Sequence, residues 1–354
     1  MFFVLYDRYM KSIGETYIAE SWRRVKRAVD FDEMKVVGAK IPYEASPFFV
    51  AVNDKHGKPL FSGLASFPQI DEKTQKTSLV LKDYATLWNT DVMISWDKFT
   101  GNFLSEYISF ILNEWIAQTD VGFSGIGWDV SDLSYMLMDS QIAHPSGVTE
   151  SYSVRDLIFN ALTYYGLYYD AVLDPKRKTL VFRFTKAMVN NISIRLSDFD
   201  VLAVEKSFGE YNRATVYDHN RTISSQWALT EDNLIEQIPS GVNYIYPAKN
   251  KNFVSKYSPD DAVDQEKAQS ALFDATYDAV MGLAQNRYQE TVELNVVKHK
   301  SVRDLTEVDF SYGFSLYTGN GFYRTLPVGE IEMDSKGIHL VRLGYRVQEL
   351  TQEI

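Results

Sequence analysis

The side chains able to do chemistry are scattered along this chain. It has no cysteine, which removes thiolate nucleophiles, thiolate metal sites and disulfides together. The five histidines, His56, His144, His219, His299 and His339, lie far apart, and no pair has the helical spacing of metal ligands. There is no Gly-x-Ser-x-Gly elbow and no phosphate loop. Carboxylates are the remaining chemistry. A glycosidase needs only two of them, ~5 to 10 Å apart. Trp128-Asp129 with Asp132 is the nearest candidate pair, set against the plainer reading that Asp132 caps a short turn over Leu133–Met138. Asp260, Asp261, Asp264 and Glu266 lack the glycine and oxygen spacing of a calcium loop and read as acids at a helix start. The expectation is no catalytic residue, no cofactor and no metal.

Charge gives one local signal. The chain of 354 residues has a net charge of −11, a poor balance for holding nucleic-acid phosphates. Against this, Arg23, Arg24, Lys26 and Arg27 form a basic run in Trp22–Val29, a stretch that alternates basic and apolar positions. Three uses are open to it: a nucleic-acid arm, an exposed strand face whose charge discourages edge pairing, or an ion-pairing face against an acidic neighbouring subunit. The second and third are favoured, making these four residues the candidate subunit interface. Reversing Arg23, Arg24 and Lys26 to Glu is expected to block assembly while leaving the isolated protein folded, since exposed charges contribute little to folding.

The elements that must carry these groups fall into three regions. Residues 1–98 read as short strands, among them Phe2–Tyr6, Phe48–Val52, Pro59–Gly63 and Thr77–Lys82, with a hairpin turn at Asn53–Lys58. Residues 99–200 read as α+β. Phe103, Tyr107, Ile108, Ile111, Leu112 and Trp115 recur at helical spacing with Asn102 as cap. Ser153 and Gly166 bound a second helix, and Tyr168–Leu173 pairs with Thr179–Phe184. Residues 119–150 and 240–260 read as loop. Residues 201–354 return to strands and carry a long helix at about 259–289, opened by Pro259. A last hairpin spans Val328–Met333 and Ile338–Val347, with Gly344 marking a bulge or bend. The expected fold is α+β, mainly β: two small antiparallel β-barrel-like domains with an α+β domain between them and a long helix inserted near the second barrel. No segment reaches the ~20 apolar residues of a membrane span, and the N-terminus is no signal peptide.

Three stretches carry a resemblance: Val4-Leu-Tyr-Asp-Arg8 with Ile13-Gly-Glu15; Lys58-Pro-Leu-Phe-Ser-Gly63 followed by Thr77–Leu87 and Trp88; and the closing Ala268–Val297 with Val328–Val347. In this layout the chain resembles the tail-hub proteins of bacteriophages, namely the N-terminal structural region of tail-associated proteins and the baseplate hub of contractile tails. The resemblance implies a homotrimer whose six barrels adapt a sixfold tail tube to a threefold tip. It implies a virion-tail location after synthesis in the host cytoplasm. The partners it implies are a distal tail protein or tail tube protein, with the tape measure protein or receptor-binding proteins as further neighbours, and DNA passing without specific binding. Many such proteins continue into a peptidoglycan hydrolase or a fibre. This chain ends at Ile354, directly after the last hairpin, so no lytic role is expected. A cell-wall glycan hydrolase using Asp129 and Asp132 stands as the alternative, as does a carbohydrate-binding adhesion module drawing on the 14% aromatic content.

Overall fold

Period-two burial builds the first unit. In β1 (Phe2–Tyr6) the side chains of Phe3 and Leu5 are fully buried, while Phe2 faces out, as the pleat of a strand with one wet face requires. The same alternation runs through β3 (Glu33–Gly38), β5 (Pro59–Ala65) and β7 (Lys76–Lys82). With β2 (Ser12–Arg27) and β4 (Phe49–Asn53) these strands pair in the order β1-β4-β5-β7-β3-β2. β1 also pairs with β2, so the ring closes into a six-stranded antiparallel barrel. Closure leaves no free edge. Its core is Phe3, Leu5, Met34, Val36, Val52, Leu79 and Leu81. The short β6 (Gln69–Asp71) adds to β7.

This is a computed structural model. It describes Met1 to Gly344 except for residues 29–30, 39–48, 67, 72, 74–75, 120–124, 140–141, 143–148, 188, 196–199, 208, 231–234, 240–243, 246, 257–264, 287–288, 296–307 and 318–322. His144, Pro259 and His299 lie outside the described residues.

The α+β region follows. β8 (Asp91–Ser95), helix α1 (Leu104–Gln118) and β9 (Ile126–Asp129) lead to β10 (Thr149–Ser153), α2 (Val154–Tyr165), β11 (Leu167–Asp174) and β12 (Thr179–Lys186). The cap of α1 differs from the expected one. The Glu106 carboxylate accepts from the backbone N–H of Asn102 and Phe103, so the acid one turn inside the helix satisfies the free donors. For α2 the expected caps are present: Ser153 Oγ accepts from Asp156 N, and Gly166 ends the helix with φ +62°. A dense aromatic core holds the region together, with Trp88, Trp96, Trp115, Tyr107, Phe182 and Phe184 all buried.

The second β unit is assembled from distant pieces. β13 (Asn190–Arg195), β14 (Asp200–Ser207), β19 (Gln289–Asn295), β20 (Tyr312–Tyr317), β21 (Tyr323–Asp334) and β22 (Gly337–Leu343) pair in the order β14-β19-β22-β21-β20-β13. The β13–β20 pair is parallel. Between β14 and β19 the chain makes β15 (Arg213–Tyr217), β16 (Ile223–Leu229), β17 (Ile235–Gln237), β18 (Asn250–Val254) and α3 (Gln265–Gln285), a four-stranded sheet with its helix packed on one face. Gly344 follows β22 at φ +83°, its N–H donating to Pro327 O at 2.7 Å. The opposing Gly329 has to be glycine, because a Cβ there would lie 1.9 Å from Gly344 O. The expected strand beyond Gly344, to Val347, lies outside the described residues.

Two strands arise where loop was expected. β9 runs parallel to β12, and β18 runs parallel to β15. Neither has a repeating apolar face: β9 reads Ile-Gly-Trp-Asp and β18 reads Asn-Lys-Asn-Phe-Val. Both are aligned by backbone hydrogen bonds to a neighbouring strand, with burial limited to Ile126 and Trp128 in β9 and to Phe253 in β18.

Candidate interface: the basic strand and the carboxylates around it

At sixteen residues β2 is too long for one small barrel. Its last five residues, Arg23 to Arg27, pair with Asp334 to Glu330 of β21. One strand therefore serves both β units and fuses them into a single thirteen-stranded sheet. The basic run occupies this seam.

Alternation splits the run between two faces. Arg23 and Arg27 share a face with the acids of β21. Arg23 Nη2 lies 2.5 Å from Glu332 Oε2, and Arg27 Nε lies 3.3 Å from Glu330 Oε2. Arg342 of β22 continues the ladder, 2.6 Å from Glu330 Oε1 and 2.9 Å from Glu293 Oε2 of β19. His339 Nε2 approaches Glu332 Oε2 at 3.4 Å. Arg24 and Lys26 point the other way. Arg24 Nη2 contacts Asp32 Oδ2 at 2.5 Å, its Nη1 donates to Leu60 O, and its guanidinium lies over the Phe61 ring. Lys26 Nζ sits 5.3 Å from the centroid of Phe310. Burial and the charge of Arg24 push its ammonium below the usual lysine range, against the pull of Asp32, Asp170 and Asp309.

Exposure separates the four residues. The Arg23 side chain is 62% exposed and that of Arg24 only 11%. Lys26 and Arg27 are half-buried. Arg24 and Lys26 are therefore not the exposed charges that the exchange for Glu assumed: they are packed among carboxylates and rings. Their acidic counterparts were readable in part: Glu330, Glu332 and Asp334 recur at every second position, one charged face of a strand. The pairing with residues some 300 positions away carries no local signal.

Beside the seam lies a buried carboxyl that sequence reasoning passed over. Asp83 is 5% exposed. Its Oδ1 accepts from Ala85 N at 3.0 Å. Its Oδ2 accepts from Asp32 N and from the hydroxyl of Tyr169, each at 2.5 Å. Asp32 in turn accepts from Arg27 N and pairs with Arg24. Three regions thus meet at one side chain: the first barrel through Asp32, the turn Tyr84–Trp88 through Ala85, and β11 through Tyr169. Burial, with the neighbouring charge of Asp32, raises the Asp83 carboxyl to about 8, against the lowering by its donors.

The acidic pair considered for hydrolysis has a different geometry. Asp129 Oδ1 accepts from both the backbone N–H and the hydroxyl of Ser131, at 3.0 and 2.7 Å. These bonds hold its carboxyl below the usual range. It braces the entry to the short turn Ser131–Leu133, and the exposed Asp132 lies inside that turn rather than capping it. A general acid needs a carboxyl raised toward neutrality, the opposite of what Asp129 has. Among the described residues, no cluster of three or more His, Asp or Glu is placed to hold a metal, and no helix is long and apolar enough to cross a membrane.

No family profile matches the chain, and no curated protein matches it. Solved structures do. Prophage tail protein gp18 from Listeria monocytogenes EGD-e superposes with a TM-score of 0.51 at 13% identity, over 98% of this chain and 95% of that one. The chain has the fold of a phage tail protein. Also similar are the 43 kDa tail protein of prophage MuSo2 from Shewanella oneidensis, with a TM-score of 0.48 at 13% identity over 98% of both chains, and the tail protein from Neisseria meningitidis MC58, with 0.48 at 11% identity over 97% and 96%.

Proposed function

We propose that the chain is a structural hub at the distal end of a phage tail. Three copies form a ring that adapts a sixfold tail to a threefold tip and closes or gates the DNA passage. The observation that carries this reading is the shared strand. Each chain holds two six-stranded β units joined by the pairing of β2 with β21, so three chains offer six comparable arcs under closed threefold symmetry. The whole-length likeness in fold to a phage tail protein supports it.

The remaining features fit a part that assembles rather than reacts. The basic seam is spent largely inside the chain, with Arg23 its most accessible member. Docking to a distal tail protein or tail tube protein falls to residues 1–98, the near-neutral third with 14 basic and 13 acidic residues. Residues 101–200 and 201–354 are net −5 and −7, a surplus that would repel DNA from a central wall and let it slide. Peptidoglycan-release assays on such a hub are expected to be blank.

Light scattering coupled to chromatography tests the assembly. Three chains of 40.6 kDa give a mass of ~120 kDa, alone or on mixing with neighbouring tail proteins. A chain that stays monomeric in both settings overturns the proposal.

A further inference from the structure

The four-stranded sheet between β14 and β19 has two unlike faces. One is covered by α3: Ala214, Val216, Trp227, Leu229 and Phe253 pack against Ala275, Ala279 and Leu283. Because side chains alternate along a strand, Thr215 and Tyr217 of β15, with Asn250, Asn252 and Val254 of β18, project from the other face. That face carries a continuous chain of uncharged hydrogen bonds across three strands. Gln226 Nε2 reaches Thr215 Oγ1 at 3.4 Å, Thr215 Oγ1 donates to Asn250 Oδ1 at 2.9 Å, and Asn250 Nδ2 donates to Asn252 Oδ1 at 2.7 Å. Each group fixes the next, so the ends have set polarity. Among the described residues, Gln226 Oε1 is left as an acceptor at one end and the Asn252 amide NH2 as a donor at the other. Gln226, Asn250 and Asn252 are exposed, while Thr215 between them is buried.

An apolar strip lies alongside. The register places Val254 and Ile223 on either side of Tyr217, and both flanking side chains are 53% exposed. The charged group at the other end of the ladder, Arg213, is turned onto the Tyr244 ring at 5.6 Å. Fixed, neutral acceptor and donor groups at the two ends of this ladder, next to an aromatic and aliphatic strip, are what a sugar ring presents in reverse: hydroxyl edges beside a C–H face. The ladder crosses two strand gaps of ~4.8 Å, about 10 Å in all, long enough for a disaccharide or more. A folded protein partner is a poorer occupant. Three apolar side chains fall far short of the ~800 Å² a side that a stable protein interface buries.

We propose that this face, centred on Tyr217, Asn252 and Gln226, binds a neutral pyranose oligosaccharide. The site is separate from the seam and does not depend on the hub assignment.

Saturation-transfer NMR and calorimetry on the full chain test it, with maltotetraose, cellotetraose and chitotetraose as probes and a sulfated tetrasaccharide for comparison. The expected result is binding of at least one neutral probe with Kd of ~1 mM or tighter, with saturation strongest on ring C–H protons. Tyr217→Ala and Asn252→Ala should each weaken it about tenfold. Asn252 is exposed on an edge strand, so its variant keeps the native melting temperature and remains informative if Tyr217→Ala unfolds. No binding of any neutral probe at 10 times that concentration overturns the proposal. So does preference for the sulfated probe, or neutral binding that Asn252→Ala leaves unchanged.

Discussion

The first barrel and the second β unit have six strands each but opposite construction. The barrel draws all its strands from residues 2–82 and closes on itself through the β1–β2 pair. The second unit gathers strands from Asn190 to Leu343, is interrupted by a sheet and helix between β14 and β19, and ends in β13 and β14, which do not pair with each other among the described residues. Local closure costs little chain entropy, whereas long-range pairing is helped by a template. The seam supplies one, since β2 is held in the barrel by β1 and β3 and offers its remaining edge to β21. The second unit should therefore depend on the first more than the first depends on it.

Breaking the template is the most severe test. Val25 lies at the centre of the seam, opposite Glu33 on one side and Glu332 on the other. Val25→Pro removes a ladder N–H from a central strand and should cost at least ~3 kcal/mol. The dependence sharpens this into a shape: calorimetry should show one transition in the parent and two in the variant, with the second unit melting first. A single transition that moves by less than a few degrees would mean that the units do not communicate through β2.

Next in size is Arg24→Glu. It places a carboxylate against Asp32 and removes the hydrogen bond to Leu60 O. Breaking a pair this buried should cost about 3–5 kcal/mol, read as a lower urea midpoint with an unchanged slope. Arg24→Met keeps the packing on Phe61 and should recover part of the loss. Equal stability of the Glu variant and the parent would place Arg24 outside the structure that holds the barrel.

These tests also mark what the sequence makes legible. Strands with an apolar period, such as Phe2–Tyr6 and Thr179–Phe184, and helices with a signalled cap, such as the one after Ser153, are visible because each residue's own burial dictates its state. β9 and β18 are not, because they pair in parallel with strands distant in the chain and their residues have no period of their own. The basic run was visible as a charge pattern. Its partner was not, since Arg23 and Glu332 meet only through the topology. Asp83 was hidden for a related reason: its three donors come from three separate segments, and nothing around Lys82-Asp83-Tyr84 distinguishes it from a surface acid.

Asp83 gives a test of intermediate size, set by pH. In the unfolded chain its proton leaves near pH 4, as for any aspartate, while in the folded protein it is held to about 8. Between those values the folded state binds more protons, so this group's stabilisation is complete below pH 4 and declines as pH rises toward 8. The slope is at most ~1.4 kcal/mol per pH unit, or about 2 kcal/mol between pH 6 and 7.5. Asp83→Asn should flatten that part of the curve, whatever it does to absolute stability. A parent whose stability is level over this range, or a variant with the parent's slope, would show that Asp83 is ionised at neutral pH, held so by its three donors.

The smallest effect should come from Arg23, and its size separates the seam's two faces. Arg23 reaches Glu332 at 2.5 Å but is 62% exposed, so its Coulomb gain is screened by water and offset by the entropy of fixing a long side chain. Glu332 also keeps His339 Nε2 as a polar neighbour at 3.4 Å. Arg23→Ala should therefore cost under ~1 kcal/mol, and less still in high salt. The same substitution at Arg24 leaves the carboxylate of Asp32 beside Asp83 without its cation and should cost several-fold more. Chemical denaturation of both variants, at low salt and again at ~1 M, reads the difference directly. Equal losses at the two positions would mean that the faces of β2 are alike in energy, and that the exposed arginine contributes to holding the β units together as much as the buried one.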